Sequence, residues 1–208
     1  QVHKVTTTKK LMDAGQVANL KIICCMLNYG DIDRKLLKGM SYQEEIDWIV
    51  TNPRRNKIIQ NLTMAQEGNT LVLFQFVEKH GKIIYEMLKE VCKDRKVFFV
   101  FGGTDTDTRE EIRALTELEK DAIIVASYGT FSTGINIRNL HNIVFASPSK
   151  SRIRNLQSIG RGLRKGDTKT TCNLFDIGDD LSWKDKKNYT LNHLMERIKI
   201  YNEEQFNY

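Results

Sequence analysis

The stretch from Thr70 to Phe101, TLVLFQFVEKHGKIIYEMLKEVCKDRKVFFVF, contains one complete strand–helix–strand unit. It begins with an apolar run, Thr70–Phe74, continues with apolar side chains at helical spacing in Val77–Asp94, and closes with a second apolar run, Val97–Phe101. Short apolar runs are typical of buried strands, and an apolar residue at every third or fourth position is typical of a helix that packs on a sheet. The stretch therefore predicts two strands joined by a helical crossover.

The same alternation continues along the rest of the chain. Further helical patterns lie at Arg109–Lys120, which opens with Asp107 and Glu110 in capping-box register, and from about Leu191 to Glu203. Strands that alternate with helices form a parallel sheet covered on both faces, so we expect an α/β fold of this type. The six predicted strands are Leu20–Met26, Thr70–Phe74, Val97–Phe101, Ala122–Ala126, Asn142–Phe145 and Thr171–Phe175.

Two segments fit this alternation less well. Residues 28–64 are charged and predict two helices broken at Asn52-Pro53. The first 19 residues, with TTT and KK, are typical of an interdomain connector, so the predicted domain covers residues 20–208. Because Gln1 is not an initiator methionine, we expect the chain to be a piece of a longer protein.

The composition is that of an ordinary globular protein, with 208 residues, 40% hydrophobic and 28% charged, which suits one large domain or two small ones. The sequence has no apolar run of about 18 residues and no apolar signal core near its start, so we expect no membrane span and a cytoplasmic location. The four cysteines lack metal-ligand spacing, and three of them lie in apolar segments, which indicates small core residues in a reducing compartment. We expect no metal site.

Positive charge is concentrated in residues 149–169. Seven basic residues and one acid give this segment a net charge of +6, which equals the net charge of the whole chain, so the remaining residues balance to zero. One concentrated basic face suits a polyphosphate ligand, which is either a nucleotide or a nucleic-acid backbone. The charge by itself does not decide between them.

Within the basic segment, the sequence QSIGRGLRKG places Gln157, Arg161 and Arg164 on one face of a predicted helix. Guanidinium groups are planar, always charged and carry a fork of donors that matches phosphate oxygens. Arginines held in this way therefore suit a phosphoryl-transfer site. The alternative is a solvated basic face beside an apolar stripe that packs on the core.

The loops after two predicted strands are rich in glycine and hydroxyl residues. Gly102-Gly103-Thr104 follows one strand, and Ser127–Ile137 follows the next. Ligands of parallel sheets bind at the carboxyl ends of the strands, where such loops can present backbone N–H groups and hydroxyls to phosphates. The alternative for the glycine pair is a tight turn followed by a helix N-cap.

Taken in order, these segments resemble the second RecA-like domain of superfamily 2 helicases, and in detail that of phage recombination helicases. LVLFQFVEKH resembles motif IV, FGGTDTDTREEI resembles the loop and helix that follow it, IIVASYGTFSTGINIRNLHNIVFASP resembles motif V, and QSIGRGLRKG resembles motif VI. The resemblance covers residues 20–208 in the order and spacing of the family. It implies a RecA-like parallel sheet with helices on both faces.

The resemblance also implies roles for single residues. Arg161 and Arg164 would be arginine fingers that reach ATP on another domain, and Gln157 would help to position the triphosphate. Asn136 stands where many relatives have an aspartate that meets the ribose. The nucleotide-binding residues of this domain would be Gly134, Asn136 and Gly160. The nucleic-acid-binding residues would be Gln75, Phe76, Lys79, Gly102, Gly103, Thr104, Ser127, Gly129 and Thr130.

The sequence contains neither G-x-x-x-x-G-K-[ST] nor a D-E-x-D/H box, the parts that bind triphosphate and Mg²⁺. In the resembled family they belong to the first domain, which would bind most of the ATP and Mg²⁺. The resemblance therefore implies the C-terminal motor domain of an ATP-dependent DNA helicase or translocase, inactive as a fragment.

Its partners would be branched DNA and the first domain of the same polypeptide, in the cytoplasm of an infected bacterial host if the protein is phage-encoded. The protein would act in recombination, repair and replication of DNA. The alternative is a non-catalytic nucleic-acid-binding or annealing module that uses the same basic face. The missing phosphate loop nearly excludes a complete nucleotide-binding enzyme.

Overall fold

A six-stranded β-sheet lies at the centre of the computed structural model, which describes residues 10, 12, 14, 19–132, 139–148 and 171–208. All pairings between the six strands are parallel. The spatial order of the strands is β1-β6-β5-β2-β4-β3. Apolar clusters cover both faces of the sheet, one around Leu71 and Phe145 and the other around Val72 and Val144. The predicted parallel α/β fold is confirmed. The strands are β1 (Asn19–Asn28), β2 (Thr70–Phe74), β3 (Val97–Val100), β4 (Ile123–Ser127), β5 (Asn142–Phe145) and β6 (Thr171–Asp180).

All six predicted strands are confirmed, and the largest difference in their bounds is at β6. The sequence predicted only its apolar first half, because strands buried on both faces usually show unbroken apolar runs. β6 in fact has ten residues and pairs with β1 along its whole length. Its second half is polar and still buried, since Asp176 and Asp179 are both 0% exposed.

Asp176 is neutralised by a buried arginine from the last helix. Arg197 donates from Nε to Asp176 Oδ2 over 2.8 Å and from Nη2 to Oδ1 over 2.9 Å. The Tyr201 hydroxyl donates to the same Oδ2 over 2.6 Å. A buried carboxylate is stable only when it is paired and hydrogen-bonded, so these contacts fix the last helix against the sheet.

Asp179 is paired in the same way with Arg55. The guanidinium donates from Nε over 2.7 Å and from Nη2 over 3.1 Å, and the Tyr29 hydroxyl donates to Oδ1 over 2.7 Å. Burial by itself would lower the pKa of Arg55, but the charge and hydrogen bonds of Asp179 raise it overall. The Nη1 group also donates to the carbonyl of Ala146 over 2.7 Å, which ties this pair to the end of β5.

Residues 28–64 form three helices rather than the two predicted. The predicted break at Asn52-Pro53 is confirmed: Asn52 ends one helix, and its side chain accepts hydrogen bonds from the first N–H groups of the next. The sequence missed the short first helix, which has a single buried residue, Leu37. The helices of the described residues are α1 (Asp31–Leu37), α2 (Tyr42–Thr51), α3 (Pro53–Met64), α4 (Lys82–Val91), α5 (Thr106–Leu118), α6 (Tyr128–Ser132) and α7 (Tyr189–Glu203).

The crossover predicted at Val77–Asp94 begins with a π-helical turn, Val77–Gly81, which leads directly into α4. Gly81 explains why the chain can pass so close to the sheet at this turn. A Cβ at that position would lie 2.5 Å from the ring of Phe74, so only glycine fits. The helical crossover is confirmed, and its first turn differs from the predicted α-helix.

The predicted capping box at Asp107 and Glu110 is wrong. Asp105 is the N-cap of α5, with extended backbone and a carboxylate that accepts from the N–H of Thr108 over 2.8 Å. This hydrogen bond to the charged form lowers the pKa of Asp105. Asp107 lies instead inside the first turn of α5, because the helix begins at Thr106.

The last predicted helix is confirmed as α7, which starts two residues earlier than expected. Glu45 of α2 caps it from outside: its buried carboxylate accepts from the N–H groups of Tyr189 and Thr190 over 3.0 and 2.8 Å. Of the apolar residues predicted on one side of this helix, Leu191, Leu194 and Tyr201 are buried, Ile198 packs against the core, and Met195 is 39% exposed.

Four other expectations concern the connector, the cysteines, membrane spans and metal sites. The predicted connector, residues 1–19, lies largely outside the described residues, and β1 already begins at Asn19. None of the four cysteines forms a disulfide, and burial raises the pKa of Cys24 to about 11. Across the described ranges, no helix is long and apolar enough for a membrane span, and no cluster of three or more His, Cys, Asp or Glu side chains could hold a metal ion.

The Arg197–Asp176 pair can be tested by removing the arginine. Arg197→Leu should lower the free energy of unfolding by about 3–5 kcal/mol, because it leaves the buried carboxylate uncompensated. Urea unfolding of the purified chain, followed by circular dichroism at pH 7, measures this. In the control Arg113→Leu, which removes partly exposed ion pairs with Glu110 and Glu117, the expected loss is below about 1 kcal/mol. Equal losses in the two variants would contradict a special role for the buried pair.

Candidate nucleic-acid interface

The loops in which the sequence predicts nucleic-acid contacts all leave the same edge of the sheet. β2 lies between β4 and β5, and β4 also pairs with β3. The carboxyl ends of these strands are in register, with Phe74 beside Ser127 and Val100 beside Ala126. The three loops therefore begin next to one another, as ligand-binding loops of parallel sheets do.

The loop after β2 presents an amide, a ring and an ammonium group. Gln75 is exposed, and Lys79 places Nζ 4.8 Å from the centre of the Phe76 ring. Lys79 also forms an ion pair with Asp47 of α2, which lowers the pKa of that carboxyl. Both side chains are about two-fifths exposed, so the pair is weak and a phosphate could replace the carboxylate.

The loop after β3 is a tight turn held from within. The N–H of Phe101 donates to the Thr104 hydroxyl over 3.1 Å. Arg109 donates from Nε to the Thr104 carbonyl over 2.7 Å and from Nη2 to the Gly102 carbonyl over 3.0 Å. The two glycines are exposed, and a Cβ on Gly102 would meet no heavy atom within 4 Å, whereas one on Gly103 would lie 2.7 Å from the Phe101 ring. The turn and the N-cap of the alternative interpretation are both present, and they leave Gly102 open to a ligand.

The segment after β4, which the sequence predicted as a loop, begins with the short helix α6, and its hydroxyl groups point inward. Ser127 Oγ lies 2.7 Å from Thr130 Oγ1 and accepts from the Thr130 N–H over 3.3 Å, and these residues are 9% and 3% exposed. Gly129 between them is exposed, and a Cβ there would meet no heavy atom within 4 Å. Of the three predicted contact residues in this loop, only Gly129 is accessible from solvent.

Ser147, for which the sequence predicted no role, joins two of these segments, those after β2 and β4. Its hydroxyl accepts from the N–H of Gln75 over 3.0 Å and lies 2.7 Å from Nδ1 of His80, while its carbonyl accepts from the Tyr128 hydroxyl over 3.2 Å. Ser147 is completely buried one residue before Pro148. No sequence signal reveals this role, because it depends on strands β2, β4 and β5 being neighbours.

The predicted nucleotide-binding set lies outside the described residues. Gly134 and Asn136 fall between residues 132 and 139, and the basic segment falls between residues 148 and 171. Their assignments remain predictions from the sequence. The residues concerned are Gly134, Asn136, Gln157, Gly160, Arg161 and Arg164.

Comparison with known proteins supports the family resemblance found in the sequence. The sequence profile of the family described as "Helicase conserved C-terminal domain" matches residues 53–166. The ATP-dependent DNA helicase UvsW of Enterobacteria phage T4 is 42% identical over 221 residues, an alignment that covers 100% of this chain and 43% of UvsW. This chain therefore spans less than half the length of that relative.

Solved structures agree with the fold. The crystal structure of T4 UvsW matches with a TM-score of 0.79 and 41% identity, over 98% of this chain and 41% of that one. A DNA-bound Type ISP restriction-modification enzyme, LlaBIII, matches with a TM-score of 0.57 and 14% identity, over 93% of this chain and 14% of that one, a likeness of fold alone. The predicted RecA-like fold is confirmed by these matches.

Proposed function

Because this chain belongs to the family of helicase conserved C-terminal domains, we propose that it is the second motor domain of an ATP-dependent DNA helicase or translocase. The observation that carries the proposal is a 42% identity with a DNA helicase over the whole chain. We further propose that the substrate is branched DNA, in recombination, repair and replication. The site of action would be the cytoplasm of a bacterial host, by analogy with the phage relative.

In this proposal ATP binds between this domain and another domain of the same polypeptide. That domain would supply the phosphate loop and the Mg²⁺ ligands, which this sequence lacks. Arg161 and Arg164 would stabilise the charge that develops on the transferred phosphoryl group, and Gln157 would position the triphosphate. Gly134, Asn136 and Gly160 would complete the nucleotide contacts on this side.

The DNA backbone would bind along the carboxyl edge of β2, β3 and β4. Gln75 and Lys79 would contact phosphates directly, with Lys79 exchanging Asp47 for a phosphate oxygen and Phe76 offering a ring face to a base. Gly102 and Gly129 would let the backbone approach closely, with Gly103 and Thr104 shaping the first of these turns. Ser127 and Thr130 would act through the shape of their loop, since their hydroxyls bond to each other.

The isolated chain should fold and show no ATPase activity above background, with or without DNA. An arginine finger stabilises the transition state of phosphoryl transfer only when another domain holds the triphosphate beside it. Phosphate release by the purified chain measures this, with the intact protein as the positive control. Robust DNA-stimulated turnover by the chain alone would contradict the two-domain arrangement, and salt-sensitive DNA binding without ATPase in the intact protein would favour the non-catalytic module.

Arg161→Ala or Arg164→Ala in the intact protein should lower kcat by roughly 10³-fold or more, the usual range for an arginine finger, while DNA affinity changes little. A solvated basic face predicts the reverse, with weaker DNA binding and nearly normal turnover. Arg161→Lys and Arg164→Lys should lower kcat as well, because the point charge of a lysine cannot replace the planar donors of a guanidinium group. A lysine variant with turnover near that of the wild type would argue against the finger role.

Gly102→Glu and Gly129→Glu should each weaken DNA binding by the intact protein about fivefold, because a carboxylate near a phosphate costs about 1 kcal/mol in water. The matched controls are Gly102→Ala and Gly129→Ala, whose added methyl groups meet no heavy atom within 4 Å. Fluorescence anisotropy of a labelled oligonucleotide over a salt series measures the affinities, and thermal melting checks the fold. If the glutamate variants bound DNA as tightly as their alanine controls, the assignment of these glycines to the DNA interface would be wrong.

A further inference from the structure

A groove beside β6 combines lysines with aromatic rings and has no part in the interface described above. It has a volume of about 910 Å³ and lies between the end of α1 and the start of α7. The side chains that matter along it are Lys38, Trp183, Lys184, Lys186, Lys187 and Tyr189.

A doubly hydrogen-bonded turn, Trp183–Lys186, carries two of the lysines at this groove, and Lys187 follows it directly. The N–H of Trp183 donates to the carbonyl of Lys186 over 3.0 Å, and the N–H of Lys186 donates back to the carbonyl of Trp183 over 3.1 Å. Lys184, inside the turn, has a φ of 52°, a left-handed conformation that is uncommon for residues other than glycine. A strained, doubly hydrogen-bonded turn that carries lysines suggests a function rather than a passive connection.

The lysines of the groove are not neutralised within the described part of the chain. The side chains of Lys38, Lys184 and Lys186 are exposed, and no ion pair among the described residues includes them or Lys187. Two acids line the groove with them. Asp185 is exposed in the turn, whereas Glu45 is buried and its carboxylate already caps α7. The local charge is therefore positive.

Aromatic surface lies beside this charge. Tyr189 is 48% exposed at the first residue of α7, and its ring meets that of Tyr42 edge-on with centres 6.0 Å apart. Trp183 is partly exposed at the start of the turn. Phosphate-neutralising lysines next to exposed aromatic rings are the combination that binds single-stranded nucleic acid without sequence preference.

The position of the groove fits a strand that also crosses the proposed DNA loops. The turn follows β6 directly, so it lies at the same carboxyl edge of the sheet as the loops after β2, β3 and β4. β6 is two strands from β2 and four from β3, or about 10 and 19 Å across the sheet at the usual strand spacing, and it extends four residues past the level at which β5 ends, so the turn lies farther out than the loops. One single strand of several nucleotides can reach both places.

We propose that this groove is a second contact site for single-stranded DNA, with Lys184 and Lys186 on phosphates and Tyr189 stacked on a base. The proposal rests on the proposed function, because it assigns a further part of the same strand. It extends the DNA track beyond the motif-bearing loops, to the β6 end of the sheet.

The test is binding of a labelled oligonucleotide of about 16 nucleotides by the intact protein over a salt series. The double variant Lys184→Gln/Lys186→Gln should raise Kd roughly tenfold near physiological salt and reduce the slope of log K against log salt by about 1.4, the loss of two phosphate contacts on a single strand. Tyr189→Ala, which keeps the N–H that Glu45 accepts, should raise Kd about fivefold or more without changing the slope.

The control is Lys93→Gln/Lys120→Gln, which removes two exposed lysines that precede β3 and β4 at the opposite edge of the sheet. If the control lost as much DNA affinity as the groove variants, the effect would come from long-range charge and the proposal would be wrong. An unchanged Kd and salt slope in the groove variants would also contradict it. If the groove variants lost affinity for ATP or for an acidic protein while their DNA affinity stayed intact, the proposal would be wrong. The groove would then bind that other ligand. Failure of the wild-type protein to bind DNA at all would refute the proposed function instead.

Discussion

Two aspartates buried in β6 are the constraint on which the rest of the structure depends. A carboxylate without water must be paired and hydrogen-bonded, so Asp176 and Asp179 each require an arginine from a different helix. Asp176 thereby fixes α7 across the sheet, and Asp179 fixes the start of α3 and, through Arg55, the end of β5. These pairs set the directions of the helices around the carboxyl edge, which apolar packing alone would leave less strictly defined.

The carboxyl edge shows how a framework and a binding surface share the same short loops. Ser147, Ser127, Thr130 and Thr104 use their hydroxyls to hold the loops together. Among the proposed contact residues, the glycines and Gln75 are exposed, and Phe76, Lys79 and Thr104 are partly exposed. A surface of this kind can follow a phosphate backbone without reading bases, as the proposed motor function requires.

The sequence predicted the elements whose signal is local. Six apolar runs became strands, and Asn52-Pro53 ended one helix and began the next, because burial of a run and capping by a side chain both act within a few residues. One local prediction failed, because α5 begins at Thr106 and Asp105 rather than Asp107 caps it. The polar half of β6 could not be predicted from the sequence, because its burial depends on arginines that are distant along the chain.

The same distinction between local signals and tertiary contacts applies to the candidate site. By itself the sequence determined which loops follow which strands, where the basic segment lies and which family the motifs indicate, since these follow from residue order. Only the tertiary structure decided that Ser127 and Thr130 face inward, that Ser147 joins the segments after β2 and β4, and that a lysine turn beside β6 shares the edge of β2. The reason is physical: a side chain's accessibility and partners depend on which strands are neighbours, and strand order is fixed by packing across the whole sheet.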